Sequence, residues 1–217
     1  MRLLFDLDGT LTNPFLGFSK SVQFALQKLG RETADLAELA GYIGPPLGES
    51  FAALLKTSDE ELIAEAVRLY RERYGSIGLF ENEVYSGIAH SLQVLSEKGY
   101  EMSVATSKPS LFARQIIEHF ELGQYFSAID GCELDGTRGD KSSLIAHISQ
   151  RDGLVANEVL MIGDRKYDVL GAAENGMRAL GVLWGFGSRD ELSGAGAIAC
   201  VDKPEELPQV VAALLSA

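Results

Sequence analysis

Apolar residues recur with two different periods along this chain. Arg2 to Phe5 is a short apolar run closed by Asp6-Leu7-Asp8-Gly9-Thr10, the pattern of a buried parallel strand stopped by turn residues. From about Phe15 to Phe80 the spacing becomes helical. Phe15, Phe18, Val22, Leu26 and Leu29 share one face, with Gly30 as a stop; Leu62, Ile63, Ala66, Val67, Tyr70 and Tyr74 share another, with Ser58 as a candidate cap. Between them, Gly41-Tyr42-Ile43-Gly44-Pro45-Pro46-Leu47-Gly48 reads as an irregular loop. No strand signal interrupts this stretch, which predicts an all-helical insertion. From Tyr85 onward strands and helices alternate. Helices are expected over 87–98, from about Pro109 to His119, over 141–150 and up to Asn175-Gly176; strands are expected over 101–105, 128–131, 159–162 and 179–183. Repeated alternation of this kind predicts an α/β fold, a doubly wound parallel sheet with helices on both faces. The expected division is 1–13 and 84–217 for the sheet domain and 14–83 for the helical insertion.

Composition narrows the function classes. The 217 residues carry 19 Lys and Arg against 31 Asp and Glu, a net charge of −12. That balance lacks the basic footprint of a nucleic-acid binder and argues against docking on anionic membrane. Two cysteines, Cys132 and Cys200, are too few for a disulfide framework and read as small core residues. No apolar run approaches bilayer length, and Met1-Arg2-Leu3-Leu4-Phe5 meets Asp6 too soon for a signal peptide, so a cytoplasmic location is the expectation.

In doubly wound sheets ligands bind outside the carboxyl ends of the strands, and the polar candidates stand where apolar runs stop. Asp6 and Asp8 follow the first strand two residues apart, so both can point one way. Two crowded carboxylates repel unless a divalent cation offsets them, and Mg2+ favours carboxylate oxygens. Gly9 permits a tight turn that leaves backbone N–H groups for an anion. Gly163-Asp164 ends a second strand, with Asp168 one helical turn on; alone, Asp164 could be a helix cap and Asp168 a surface acid, but together with Asp6 and Asp8 they suggest a metal site. Thr106 and Ser107 follow a third strand, where a hydroxyl can bond a phosphate oxygen or simply cap the next helix. Lys141 opens a helix, against the dipole unless an anion or carboxylate offsets it; Lys108 is the competing cation. His90, His119 and His147 are scattered with no metal-ligand spacing, and neither a dinucleotide or phosphate loop nor a Gly-x-Ser-x-Gly elbow is present.

In order and spacing these signals resemble the haloacid dehalogenase-like superfamily. Asp6-Leu7-Asp8-Gly9-Thr10 matches its first motif, Thr106 its second, Lys141 its third and Gly163-Asp164-Arg165-Lys166-Tyr167-Asp168 its fourth. The helical stretch looks like that family's small inserted cap. Gly44-Pro45-Pro46-Leu47, Leu134-Asp135-Gly136-Thr137-Arg138 and Trp184-Gly185-Phe186-Gly187-Ser188 resemble the phosphoglycolate-phosphatase-like branch, some members of which are described as 5′-nucleotidases. The resemblance implies hydrolysis of a small phosphorylated metabolite. Asp6 would attack phosphorus and form an aspartyl-phosphate, with Asp8 as acid and then base. Mg2+ would be held by Asp6, Asp8 through its carbonyl, Asp164 and Asp168; Thr106, Ser107, Lys141 and the amides after Asp6 would hold the phosphoryl oxygens. The cap would exclude water, with the 42–50 loop either a specificity element or a plain connector. A phosphomutase shares this core. A dehalogenase lacks the second acid that Asp8 supplies, and a phospho-receiver domain would be shorter and lack the insertion.

Overall fold

A computed structural model describes residues 1–33 and 35–215. The chain forms two compact units, Met1–Asn13 with Val84–Ala217, and Pro14–Glu83.

In the first unit six parallel strands make one sheet: β1 (Arg2–Phe5), β4 (Glu101–Pro109), β5 (Ala128–Cys132), β6 (Val159–Gly163), β7 (Arg178–Val182) and β8 (Ala199–Val201), in the order β5-β4-β1-β6-β7-β8. The two-residue strands β2 (Thr12–Asn13) and β3 (Glu83–Val84) stand where the chain passes from one unit to the other. From β1 the sheet grows outward through β4 and β5, then returns beside β1 and grows the other way through β6, β7 and β8. The reversal at β1 is the switch point at which such sheets bind ligands. The register levels the strand ends there, since Phe5 pairs with Val104 on one side and Ile162 on the other.

Alternation along β1 separates the two faces. Leu4 joins Ala105, Val159, Met161 and Ala179 in a cluster with Leu144, Ile145 and Ile148 of α6 (Lys141–Asp152), Val169 and Ala172 of α7 (Lys166–Glu174) and Leu192 of α8 (Arg189–Ala195). Leu3 and Phe5 point to the opposite face, where Phe5 meets Phe126 edge-on at 6.0 Å. The remaining helices of this unit are α4 (Ile88–Glu97), α5 (Ser110–His119) and α9 (Leu207–Leu215). Gly87, with φ 88°, opens α4 in a conformation other residues avoid.

Apart from Glu83 of β3, the regular structure described in the second unit is helical: α1 (Phe15–Lys28), α2 (Leu47–Leu55) and α3 (Glu60–Arg73), a 3-10 turn over Leu36–Tyr42 and a π turn over Tyr74–Gly78. Phe18, Phe51 and Tyr74 surround Tyr70 at centroid distances of 5.7, 6.1 and 5.0 Å. Gly17 and Gly78 let two backbone segments meet, because a Cβ at Gly17 would strike the Gly78 carbonyl. Glu81 gathers Arg73 at 2.7 Å and Lys20 at 2.9 Å.

Three expectations are corrected. The cap of α3 is Asp59 rather than Ser58: its carboxylate accepts from the amides of Glu61 and Leu62, which a residue one position earlier does not reach. The 41–48 segment is only partly irregular. A 3-10 turn runs through Tyr42, and α2 starts at Leu47 behind Pro46, whose fixed φ suits a helix entry. Finally, β4 does not stop at Ala105 but continues through a register shift to Pro109. Among the described residues no helix is long and apolar enough to cross a membrane.

Candidate active site

The level strand ends bring the site together. Asp6 follows β1, its amide donating to the Ile162 carbonyl of β6 at 2.9 Å. Asp164 follows β6, and Asp168 stands in the first turn of α7. The three carboxylates come within 4.8 Å of one another and all are buried, at 7%, 0% and 1% exposure. Asp168 is therefore no surface acid, and Arg165 rather than Asp164 caps α7.

Each carboxylate is held from outside the group. Asp164 accepts from the Phe186 amide at 2.8 Å and the Thr10 hydroxyl at 3.4 Å, and Asp168 Oδ2 accepts from the Arg165 amide at 3.1 Å. Glycines make the room. A Cβ at Gly9 or Gly185 would strike the Asp164 carboxylate, one at Gly187 its backbone carbonyl, and one at Gly163 the Asp168 carboxylate. Trp184, beside these glycines, donates from Nε1 to the Thr10 carbonyl at 2.9 Å, which ties the segment after β7 to the turn after β1.

Lys141, the first residue of α6, is 5% exposed and directs its ammonium into this group. Nζ lies 2.9 Å from Asp6 Oδ1, 2.8 Å from the Ala105 carbonyl and 2.8 Å from Asp168 Oδ1. Two carboxylates thus offset the charge that opposes the helix dipole. Burial alone would lower the Lys141 pKa, but Asp168 and Asp6 outweigh it and raise it. Burial pushes Asp164 well above the usual carboxylate range, with Asp168 and Asp6 adding to it. Burial likewise raises Asp168 to about 6, opposed by Lys141.

The two hydroxyl candidates lie on the extended β4. Thr106 is buried, and its Oγ1 accepts from the Lys108 amide at 3.3 Å; the half-buried Ser107 follows it. Neither caps α5, whose N-cap position is Pro109 with no side-chain bond. The turn after β1 corrects one expectation about amides. Those of Gly9, Thr10 and Leu11 are taken up by Thr12 and Leu7 carbonyls. Among the described residues, the amides without a backbone acceptor there are those of Leu7 and Asp8. They directly follow Asp6, and adjacent amides of this kind form a concavity for an anion.

Asp8 is not in the carboxylate group. Its Oδ1 and Oδ2 each lie 2.7 Å from Lys108 Nζ. Burial raises its pKa, against the charge and hydrogen bond of Lys108. Lys108 and Lys141, rivals for one place in the sequence reading, thus occupy two. Sequence reasoning also missed Thr10, Phe186 and the Gly185–Gly187 pair as supports for Asp164. The only signal was the Trp-Gly-Phe-Gly run that follows the β7 strand.

With all three carboxylates ionised, one ammonium would leave this buried group two charges short of neutrality. Buried charges persist only when paired or bound to metal. Asp168 Oδ1 moreover makes no aligned hydrogen bond although buried. An all-oxygen, doubly negative group of this size fits a hard divalent cation such as Mg2+ or Mn2+.

Comparisons with known proteins identify the family. The family model for haloacid dehalogenase-like hydrolase matches residues 3–182. A 5′-nucleotidase of Pseudomonas aeruginosa is 52% identical over 191 residues, 88% of this chain and 86% of that protein. The tyrosine-protein kinase PtkA of Mycobacterium tuberculosis is 37% identical over 87% of this chain and 64% of its own length. The crystal structure of a predicted phosphatase from Clostridium acetobutylicum superimposes with a TM-score of 0.94, at 42% identity over 98% of both chains. With its parallel sheet, helical insertion and strand-end acids, the chain belongs to the haloacid dehalogenase-like hydrolases, as a phosphatase-type member of that family.

Proposed function

We propose that the protein hydrolyses small phosphomonoesters in a Mg2+-dependent reaction that passes through a phosphorylated Asp6. The observation that carries this reading is the buried group of Asp6, Asp164 and Asp168 with Lys141 bound to two of its members.

In this reading Asp6, Asp164 and Asp168, with the Asp8 carbonyl, would hold the cation. When bound, it would supply charge neutralisation and Lewis acidity at the phosphoryl oxygens. Asp6 attacks phosphorus and the ester oxygen leaves, forming an acyl phosphate on the Asp6 side chain. Lys141, the Thr106 and Ser107 hydroxyls and the amides of Leu7 and Asp8 bind phosphoryl oxygens and hold the group in line. Asp8 gives its proton to the departing alkoxide. The same carboxylate then takes a proton from the water that attacks phosphorus, which frees inorganic phosphate and regenerates Asp6.

The substrate class follows from likeness rather than from geometry. The 52% identity to a named 5′-nucleotidase supports nucleoside monophosphates as the first class to test. Phosphoglycolate, which the motifs around Asp135 and Trp184 suggested, belongs in the same panel. Phosphate release from nucleoside monophosphates, phosphoglycolate and sugar phosphates, compared by kcat/KM, ranks these readings. Hydrolysis should stop with a chelator and return with Mg2+. Release undiminished by chelation, or phosphate merely moved within a substrate, would overturn the metal-dependent hydrolase.

A further inference from the structure

Asp6 and Asp8 are neighbours but one in the chain, yet their carboxylates keep different company. Asp6 stands with Asp164 and Asp168, whereas Asp8 stands with Lys108. The Lys108 ammonium is 2.7 Å from both Asp8 oxygens, and the lysine side chain is only 7% exposed. The backbone beneath it is fixed as well. β4 reaches Lys108 only because the strand continues past Thr106 through a register shift. The Lys108 amide is anchored to Thr106 Oγ1. Its carbonyl lies against Gly131 of β5, at a place where any Cβ would strike it.

We propose that Lys108 is a positioning residue: by holding both oxygens of Asp8, it keeps that carboxylate out of the coordination shell of the cation beside Asp6 and free for proton transfer. The inference rests on the phosphatase reading above. Its physical basis is competition. Mg2+ and Mn2+ take about six oxygen ligands, several of them waters, and a carboxylate that reaches a water position can replace that water. Asp8 lies two positions from Asp6 in the chain and outside the buried group, close enough for the Asp6 charge to act on it. A carboxylate drawn onto the metal loses basicity and can no longer move a proton between alkoxide, solvent and itself. An ammonium at hydrogen-bond distance from both oxygens is the local counterweight. It offers three donors and no acceptor, so it binds the acid without competing for phosphorus. The two lysines thereby divide three aspartates: Lys141 serves Asp6 and Asp168, the pair that includes the nucleophile, and Lys108 serves Asp8, the acid.

The test uses the full chain as wild type, Lys108→Met, Asp8→Asn, the double variant and Lys108→Arg. Two readouts are taken: Mn2+ affinity of the substrate-free protein by electron paramagnetic resonance, and kcat and KM for the best phosphate ester. Thermal melting confirms that each variant is folded. Lys108→Met should bind Mn2+ about tenfold more tightly, because a fourth carboxylate reaches the ion. Its kcat should fall by about 10–10²-fold, part of what a positioned acid–base supplies, with KM little changed. The tightening should vanish when Asp8→Asn is also present, and Lys108→Arg should recover part of kcat. Equal tightening with and without Asp8→Asn would show a charge acting at a distance and would overturn the inference, as would unchanged affinity and kcat. If the wild type hydrolyses no ester while the coupling between Lys108 and Asp8 in Mn2+ binding is present, the phosphatase reading fails and the positioning of Asp8 stands.

Discussion

Lys141 shows most directly how one side chain sets the balance of the site. Its ammonium is the cation within reach of both Asp6 and Asp168, and all three are buried. Removing one partner of a buried ion pair leaves uncompensated charge and costs about 3–5 kcal/mol. Lys141→Met should therefore lose about that much stability in metal-free denaturant titrations, and Mg2+ should restore more stability to the variant than to the wild type. Equal gains would mean that the carboxylates do not share one cation. Asp168 sets a pH dependence of definite sign. Its pKa is raised by burial to about 6, against about 3.9 in an unfolded chain. Between these values the folded protein keeps a proton that the unfolded chain has lost. The contribution of Asp168 to metal-free stability is thus present below about pH 4 and disappears as the pH rises through about 6. A cation needs the ionised carboxylate, so the gain in Tm from Mg2+ should be larger near pH 7.5 than near pH 5. A gain that does not change with pH would contradict the assignment. Asp8→Ala should slow turnover by roughly 10²–10⁴-fold, and an unaffected kcat would remove Asp8 from the acid–base role.

At the scale of elements, the strand ends carry the site and the glycines around them make it fit. Gly185, after β7, leaves space for Asp164, and a methyl group there would strike both that side chain and the Gly9 carbonyl. Gly185→Ala should leave the circular dichroism unchanged while weakening Mg2+ binding by about 10–100-fold, the usual effect of disturbing a support of a metal ligand. Calorimetry that found wild-type affinity would show that Asp164 does not hold the cation. The elements differed in how plainly they could be read. β1 and β6 are continuous apolar runs ended by acids, and such runs announce themselves locally. β8, α8 and α9 did not, since the short, mixed stretch after Leu183 has no clear period. The continuation of β4 to Lys108 was also hidden. It depends on a register shift against β5 and on the absence of a side chain at Gly131, neither of which leaves a local pattern. The Lys108–Asp8 pair, a hundred positions apart in the chain, was hidden for the same reason. In the helical unit, the Gly- and Pro-rich composition of 41–48 concealed the start of α2, because proline favours a helix entry as readily as it breaks a helix.

At the scale of the whole molecule, the −12 net charge sets the sign of long-range steering. An anionic ester is repelled at a distance and attracted only at the site, so salt should help its approach. KM should fall as ionic strength rises from about 10 mM to about 150 mM, with kcat unchanged; a rise in KM would point to a basic approach surface that the composition does not suggest. Fold class was legible because the hydrophobic period changes from helical to alternating strand–helix at the point where the helical unit ends. Supports such as the Phe186 amide on Asp164 were not legible, since they arise only when distant loops meet. The central claim is that Asp6 is transiently phosphorylated beside these buried acids. Acid-quenching the wild type during turnover of a 32P-labelled phosphate ester, followed by peptide mapping, tests it most directly. The account predicts an alkali- and hydroxylamine-labile label on the peptide that contains Asp6, absent from Asp6→Asn. Turnover with no protein-bound phosphate, or a label on another residue, would contradict it.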